Sequence, residues 1–325
     1  MRAVFFGSPE TAFPSLQALL SAGHDVPLIV TQPDRPAGRG KRRHIVPVKE
    51  FALKQGIPVV SPDRIRKDSD ILDRLRDTAA DIHVVVAYGQ IIPMPVIALP
   101  RLWTINVHFS LLPRYRGAAP VAAAILAGDS RTGVTIFRLN EKMDEGEVLA
   151  DTETEIKPRD TAGELETRLA GIGAGLLLET LEKIDGLVPR PQDHSQATYA
   201  PKLKKEEGHL DWRRPAEEID RRVRAMTPRP TAHTHLRGGR LIVLSGHPES
   251  LPEEFDQAAP GTVIGFSKTG ILVACGGGTG YRLSVLQPEN RKAMTAHAYS
   301  LGGKISVGDV LESRKIEATQ KSDKI

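Results

Sequence analysis

Leu102-Trp103-Thr104-Ile105-Asn106-Val107-His108 runs straight into Phe109-Ser110-Leu111-Leu112-Pro113-Arg114-Tyr115-Arg116-Gly117-Ala118-Ala119-Pro120. The first seven residues alternate as a strand does, and the rest is a loop bounded by proline and glycine before an apolar helix. Side chains alternate across a strand, so Asn106 and His108 share one face. An amide donor and an imidazole therefore stand together near the end of a strand, where open α/β sheets place their ligands. By spacing alone, such a pair is more often a polar edge than a catalytic pair.

On either side of this stretch, residues 1 to 150 alternate short apolar runs with helical patterns. Strands are expected at Ala3 to Phe6, Val26 to Val30, Pro58 to Val60, Ile82 to Ala87, Leu102 to His108 and Val134 to Leu139. Between most of them lie helical stripes such as Phe13, Leu16 and Leu20, or Ile71, Leu72 and Leu75. Strand and helix in turn imply right-handed βαβ units and a Rossmann-like, mainly parallel sheet. Gly7 is followed by Ser-Pro-Glu-Thr-Ala, which lacks the further glycines of a pyrophosphate-binding turn. A nucleotide cofactor is therefore not expected.

Thr161 to Ile184 reads as the clearest helix, with Thr161 and Glu164 spaced as a capping box. Pro189, Pro191 and Pro201 then break the periodicity, and the stretch 189–206 reads as a linker. The remainder opens with a helix striped by Ile219, Val223 and Met226, followed by short strands at close spacing. These suggest a smaller C-terminal β-barrel, OB-like, over 207–325, beside a catalytic domain over 1–188.

At 325 residues with 40% apolar content, the chain suits two cored domains. The formal net charge of +4 is mild, so a polyanion would have to be met by local clusters. One cysteine, Cys275, rules out an internal disulfide and fits a cytoplasmic protein. Gly7 and Pro9 break the first apolar run, which argues against a signal peptide. No run reaches the ~18 to 20 apolar residues of a membrane helix.

Several stretches, taken together, resemble the folate-dependent formyltransferases. They are Ser110-Leu111-Leu112-Pro113 with Arg116-Gly117-Ala118-Ala119-Pro120, the run Ile82 to Pro93, and Met143-Asp144-Glu145-Gly146. The resemblance covers nearly the whole chain. It implies transfer of the formyl group of 10-formyltetrahydrofolate to an amine, with Asn106, His108 and Asp144 as the catalytic set. It also carries over Ser110, Leu111, Leu112 and Pro113 as folate contacts and the loop after the strand Ile82 to Ala87 as part of the pterin enclosure.

The chemistry fits those residue types. An acyl transfer needs a donor on the developing oxyanion and a group that moves protons near neutral pH, roles open to an amide and an imidazole. On its own, Asp144 reads as a turn residue capping its own backbone; beside Asn106 and His108 it reads as the carboxylate that orients the histidine. Four departures from the family pattern stand out: Phe109 where a small residue is expected, Glu145 where threonine is, Glu147 where aspartate is, and Asn290 where glycine is. Asn290 is tolerable if its backbone is left-handed.

The acceptor is read from charge. Arg35, Arg39, Lys41, Arg42, Arg43 and Lys49 fall between 35 and 49 with no acidic residue among them. Such a run is usually a solvated loop, but here it follows the second strand, on the carboxyl edge of a parallel sheet. Gln32 to Lys41 also matches the family, where this loop is implicated in gripping a tRNA acceptor arm. Initiator Met-tRNA is the partner this implies, for translation initiation. From 201 to 240, eleven Lys or Arg face six Asp or Glu, and Arg221, Arg222 and Arg224 are expected to face solvent. The alternatives are a formyltransferase for a small ribonucleotide or sugar-nucleotide amine, and a non-catalytic RNA-binding protein on the same scaffold. His233 and His235 share a strand face, but no further ligand pattern supports a metal, and none is expected.

Overall fold

The computed structural model describes residues 1–37 and 42–313, with the side chains of 35–37 and 42–44 outside that description. Arg39 and Lys41 lie outside the described residues. The chain divides into two compact units, one made of 1–124, 129–158 and 164–202, the other of 125–128, 159–163 and the remainder.

The first unit is built on seven strands: β1 (Ala3–Gly7), β2 (Ile29–Val30), β3 (Val59–Val60), β4 (Ile82–Val86), β5 (Thr104–His108), β6 (Arg131–Arg138) and β7 (Val148–Glu155). Their order across the sheet is β7-β6-β5-β4-β1-β2-β3. The pairs from β3 to β5 are parallel, and β6 and β7 return antiparallel along the β5 edge. The α/β, mainly parallel fold read from the sequence is the fold observed. The longer helices are α1 (Phe13–Ser21), α2 (Pro47–Lys54), α3 (Asp70–Asp77), α4 (Pro120–Ala127) and α5 (Ala162–Glu182).

β1 is apolar, β4 is apolar but for His83, and both are fully buried, as strands of a parallel sheet covered on both faces are. The strand order reverses between β1 and β4, which opens a crevice at their carboxyl ends. β7 was not expected from the sequence. Its exposed face is polar, with Asp151, Glu153 and Glu155 alternating outward on an edge strand, so it lacks the apolar run that marks the buried strands. A short backbone hairpin pairs Arg35–Ala37 with Arg42–His44 inside the basic loop.

The second unit begins with α6 (Ala216–Ala225), whose Ile219 and Val223, with Met226 just beyond it, are buried. An antiparallel sheet follows, with strands β8 (Ala232–Leu236), β9 (Gly239–Ser250), β10 (Val263–Ser267), β11 (Gly270–Cys275) and β12 (Thr279–Pro288) in the order β8-β9-β12-β11-β10. Residues 309–312 run between the two outer strands. The Val263 amide donates to the Asp309 carbonyl on one side, and the Glu312 amide donates to the His235 carbonyl on the other. That bridging segment closes the sheet into a barrel. Asn290 has a φ of 59°, the left-handed backbone that tolerates asparagine in place of glycine.

Arg222 and Arg224 do not face open solvent as the helical pattern suggested. Arg224 pairs with Asp220 at 2.6 Å and Arg222 donates to the Glu207 carbonyl at 2.6 Å. Both flank the apolar stripe, where long stems cover hydrophobic surface. His209, also outside the expected pair, stacks on His233 at 5.3 Å. Among the described residues no group of three or more His, Cys, Asp or Glu is arranged to hold a metal.

The second core centres on Trp212, fully buried with its indole N–H donating to Thr234 Oγ1 at 3.1 Å. Trp212→Ala should cost about 3–5 kcal/mol, measured as a lower denaturant midpoint for the transition of this unit.

Candidate active site

A cleft of about 630 Å³ opens at the strand-order reversal and is lined by Asn106, His108 and Asp144 among others. β5 sets Asn106 opposite Phe137 and His108 opposite Thr135 on β6. Past β5 the chain is held tightly. The Thr135 hydroxyl donates to the Ser110 carbonyl at 2.7 Å and accepts from the Leu112 amide at 3.0 Å. These bonds turn residues 110–117 back over the end of β5.

That return brings the Tyr115 carbonyl to 3.0 Å from His108 Nε2. A carbonyl oxygen can only accept, so Nε2 carries the hydrogen and a neutral His108 has its lone pair at Nδ1. Nδ1 lies 3.9 Å from Asp144 Oδ2. This is too long for a hydrogen bond, and the carboxylate faces the ring without bonding to it. Asp144 itself sits at a φ of 53° and accepts the Gly117 amide at 2.7 Å. It is thus both a turn residue and the carboxylate beside the histidine.

The Asp144 loop is gripped from below by residues that no sequence motif singled out for a role. Gln192 Nε2 donates to the carbonyls of Asp144 at 2.8 Å and Gly146 at 2.7 Å. Its Oε1 accepts from Arg116 at 2.7 and 3.2 Å, and Arg116, 1% exposed, also pairs with Glu145 at 3.3 Å. Glu145, a departure from the family pattern, therefore neutralises a buried guanidinium. Gly146 admits no side chain, because a Cβ there would fall on the Arg138 carbonyl oxygen. Tyr199–Ala200 pairs with Arg116–Gly117, so part of the segment expected to link the units is bound to this one.

The other expected residues are placed differently. Ser110 is buried with its hydroxyl donating to the Arg114 carbonyl at 2.7 Å, and neither it nor Leu111, Leu112 or Pro113 lines the cleft. Phe109 does line it, so the larger residue narrows the pocket. Arg35, Arg42 and Arg43 belong to the backbone hairpin, and their side chains lie outside the described residues.

The family described as formyl transferase matches residues 1–181, and its C-terminal domain matches residues 202–303. The chain belongs to the formyl transferase family. A relative from Thiobacillus denitrificans, named methionyl-tRNA formyltransferase, is 46% identical over 95% of this chain and 98% of its own length. One of the same name from Synechococcus sp. is also 46% identical, over 95% of this chain and 97% of its own. Among solved structures, HypX from Aquifex aeolicus in complex with tetrahydrofolic acid has a TM-score of 0.63 at 18% identity, covering 94% of this chain and 47% of that one. An N-formyltransferase from Helicobacter canadensis in complex with folinic acid and dTDP-3-aminofucose has a TM-score of 0.62 at 15% identity, covering 88% and 98%. At those identities the likeness is one of fold.

The clamp yields a test within this formyltransferase fold. Gln192→Leu removes both donors to the Asp144 loop and leaves Arg116 short of an acceptor. If Asp144 takes part in the reaction, the formyl-transfer rate should fall roughly tenfold, the effect of a small misplacement, with folate affinity unchanged. An unchanged rate would mean that Gln192 does not fix Asp144.

Proposed function

We propose that this chain transfers the formyl group of 10-formyltetrahydrofolate to the α-amine of methionine esterified to initiator tRNA, for translation initiation. The observation that carries the reading is the convergence of Asn106, His108 and Asp144 on one cleft, in a chain 46% identical along 95% of its length to a protein named for that reaction. The cleft volume lies within the ~300–1,000 Å³ of small-molecule sites. Ile91, Ile92 and Leu139 give it apolar wall suited to a flat pterin.

The residues divide the work. Asn106 donates its side-chain amide to the formyl oxygen as negative charge gathers there. An α-amine titrates near ~7.7 to 8.0 and an ester lowers that, so much of the nucleophile is neutral at pH 7. The base acts mainly after attack: His108 Nδ1 takes the proton from the new amide nitrogen and returns it to the departing arylamine nitrogen. Asp144 stabilises the imidazolium in between. Ser110 to Pro113 support the folate side by holding the return loop in shape.

Arg35, Arg39, Lys41, Arg42 and Arg43 grip the phosphates of the acceptor. Charge and sequence support this, as does the backbone hairpin of Arg35–Ala37 with Arg42–His44, which follows β2 in the chain. The single cysteine, Cys275, fits the reducing cytosol in which charged tRNA is found. The full-length identity to proteins named for tRNA favours a tRNA acceptor over a small sugar-nucleotide amine.

The test is formyl transfer from 10-formyltetrahydrofolate to charged initiator Met-tRNA. The wild-type chain should be active, His108→Ala should lose about 10² to 10⁴-fold in rate, and Asn106→Ala about 10² to 10³-fold. Transfer to a small amine but not to Met-tRNA would overturn the acceptor. The affinity for charged tRNA should also fall steeply as salt rises; a flat response would contradict the role of the basic loop.

A further inference from the structure

Glu166 lies on the second turn of α5 and lines the active cleft. It has no hydrogen-bond or ion-pair partner among the described residues. The other acidic and basic groups along the cleft are accounted for. Asp144 holds the Gly117 amide and faces His108, Lys142 lies 3.5 Å from Glu145, and Glu141 is exposed. Burial alone pushes the Glu166 carboxyl above the usual carboxylate range. A half-buried carboxylate on a mainly apolar wall, with no protein donor beside it, has lost part of its hydration, and a ligand that brings a donor is favoured there.

The sheet register indicates which ligand. Asn106 pairs with Val85 across β4 and β5, so the two share a face. Val85 packs in one cluster with Tyr88, Ile92, Ile97 and Leu139, the side of the cleft that suits the pterin. Val107 points to the opposite face, and α5 lies there: a Cβ on Gly173 would sit against Val107 and near Phe109. Glu166, on the same helix, thus lines the cleft from the side away from the folate wall. Folate brings carboxylates on its tail, which a carboxylate repels. The acceptor brings an amine that is partly ammonium at neutral pH.

Resting on the function proposed above, we infer that Glu166 binds the acceptor's α-amino group, accepting one of its N–H hydrogens and leaving the lone pair free to meet the formyl carbon. The carboxylate draws in the ammonium form electrostatically and orients the neutral form by a hydrogen bond. The proton released after attack still goes to His108. Glu166 is thereby a binding and positioning residue for the second substrate.

The test is Glu166→Gln, nearly isosteric and neutral, with Glu166→Ala beside it. With 10-formyltetrahydrofolate and charged initiator tRNA, the KM for the aminoacyl acceptor should rise about tenfold or more, the effect of losing one charge-assisted hydrogen bond. The KM for the folate donor, and folate binding followed by fluorescence, should not move. Thermal stability gives a second readout. A carboxyl whose folded pKa is raised loses stability by ionising above its unfolded pKa, and that cost disappears at lower pH. Glu166→Gln should therefore raise Tm at pH 7 and leave it nearly unchanged at pH 3. An unchanged acceptor KM, a raised donor KM, or a lower Tm at pH 7 would each overturn the inference. If the wild-type chain does not formylate Met-tRNA, the failure belongs to the acceptor assignment. If it does and Glu166→Gln behaves as wild type, only the role of Glu166 falls.

Discussion

The site depends on one hydrogen bond, from His108 Nε2 to the carbonyl of Tyr115. A side-chain partner could rotate or change protonation, but a backbone carbonyl does neither, so the imidazole is fixed in both orientation and tautomer. To bring that carbonyl back over the strand, residues 110–117 must reverse direction within a few residues. Tyr115 and Gly117, at φ of 59° and 121°, make the turn, and Thr135 on the neighbouring strand holds its start. The antiparallel pairing of β5 with β6 is therefore part of the active site, because it puts Thr135 opposite His108.

The second constraint is the loop that carries Asp144. A carboxylate 3.9 Å from an imidazole stays beside it only if the distance is maintained. Gln192 maintains it through two backbone carbonyls, and Arg116 in turn fixes Gln192. A guanidinium buried this deeply is costly without a partner. Glu145 and Gln192 satisfy it, and a buried cation becomes a rigid post beneath the Asp144 loop. The crevice at the β1/β4 reversal supplies the rest: backbone from two strand ends, an apolar floor, and helix α5 closing the far side.

The fold was largely legible because its signals are local. Apolar runs mark β1 and β4, alternation marks β5, and its period of two is enough to put Asn106 and His108 on one strand face. Asp144 was legible only through its motif, since a lone aspartate in a turn has a sufficient local explanation, and the structure shows it making that turn as well. Gln192 was not legible. It lies 76 residues from Arg116 in a stretch broken by prolines, where composition reads as linker and gives no sign of a chain that returns to the sheet. β7 escaped for a related reason, as an edge strand with one polar face. Glu166 shows nothing in sequence beyond one more charge on a helix; what distinguishes it is a missing partner, which only three-dimensional placement reveals.

The tautomer of His108 is the quantity to measure, by ¹⁵N NMR on histidine-labelled protein at a pH where the ring is neutral, with the signals assigned by their loss in His108→Gln. The bond to Tyr115 predicts a protonated, pyrrole-like Nε2 and a pyridine-like Nδ1, so that the proton acquired during the reaction enters at the nitrogen facing Asp144. The opposite pattern, with the hydrogen on Nδ1, would mean that the backbone bond does not govern the ring, and would contradict the assignment of Nδ1 as the base.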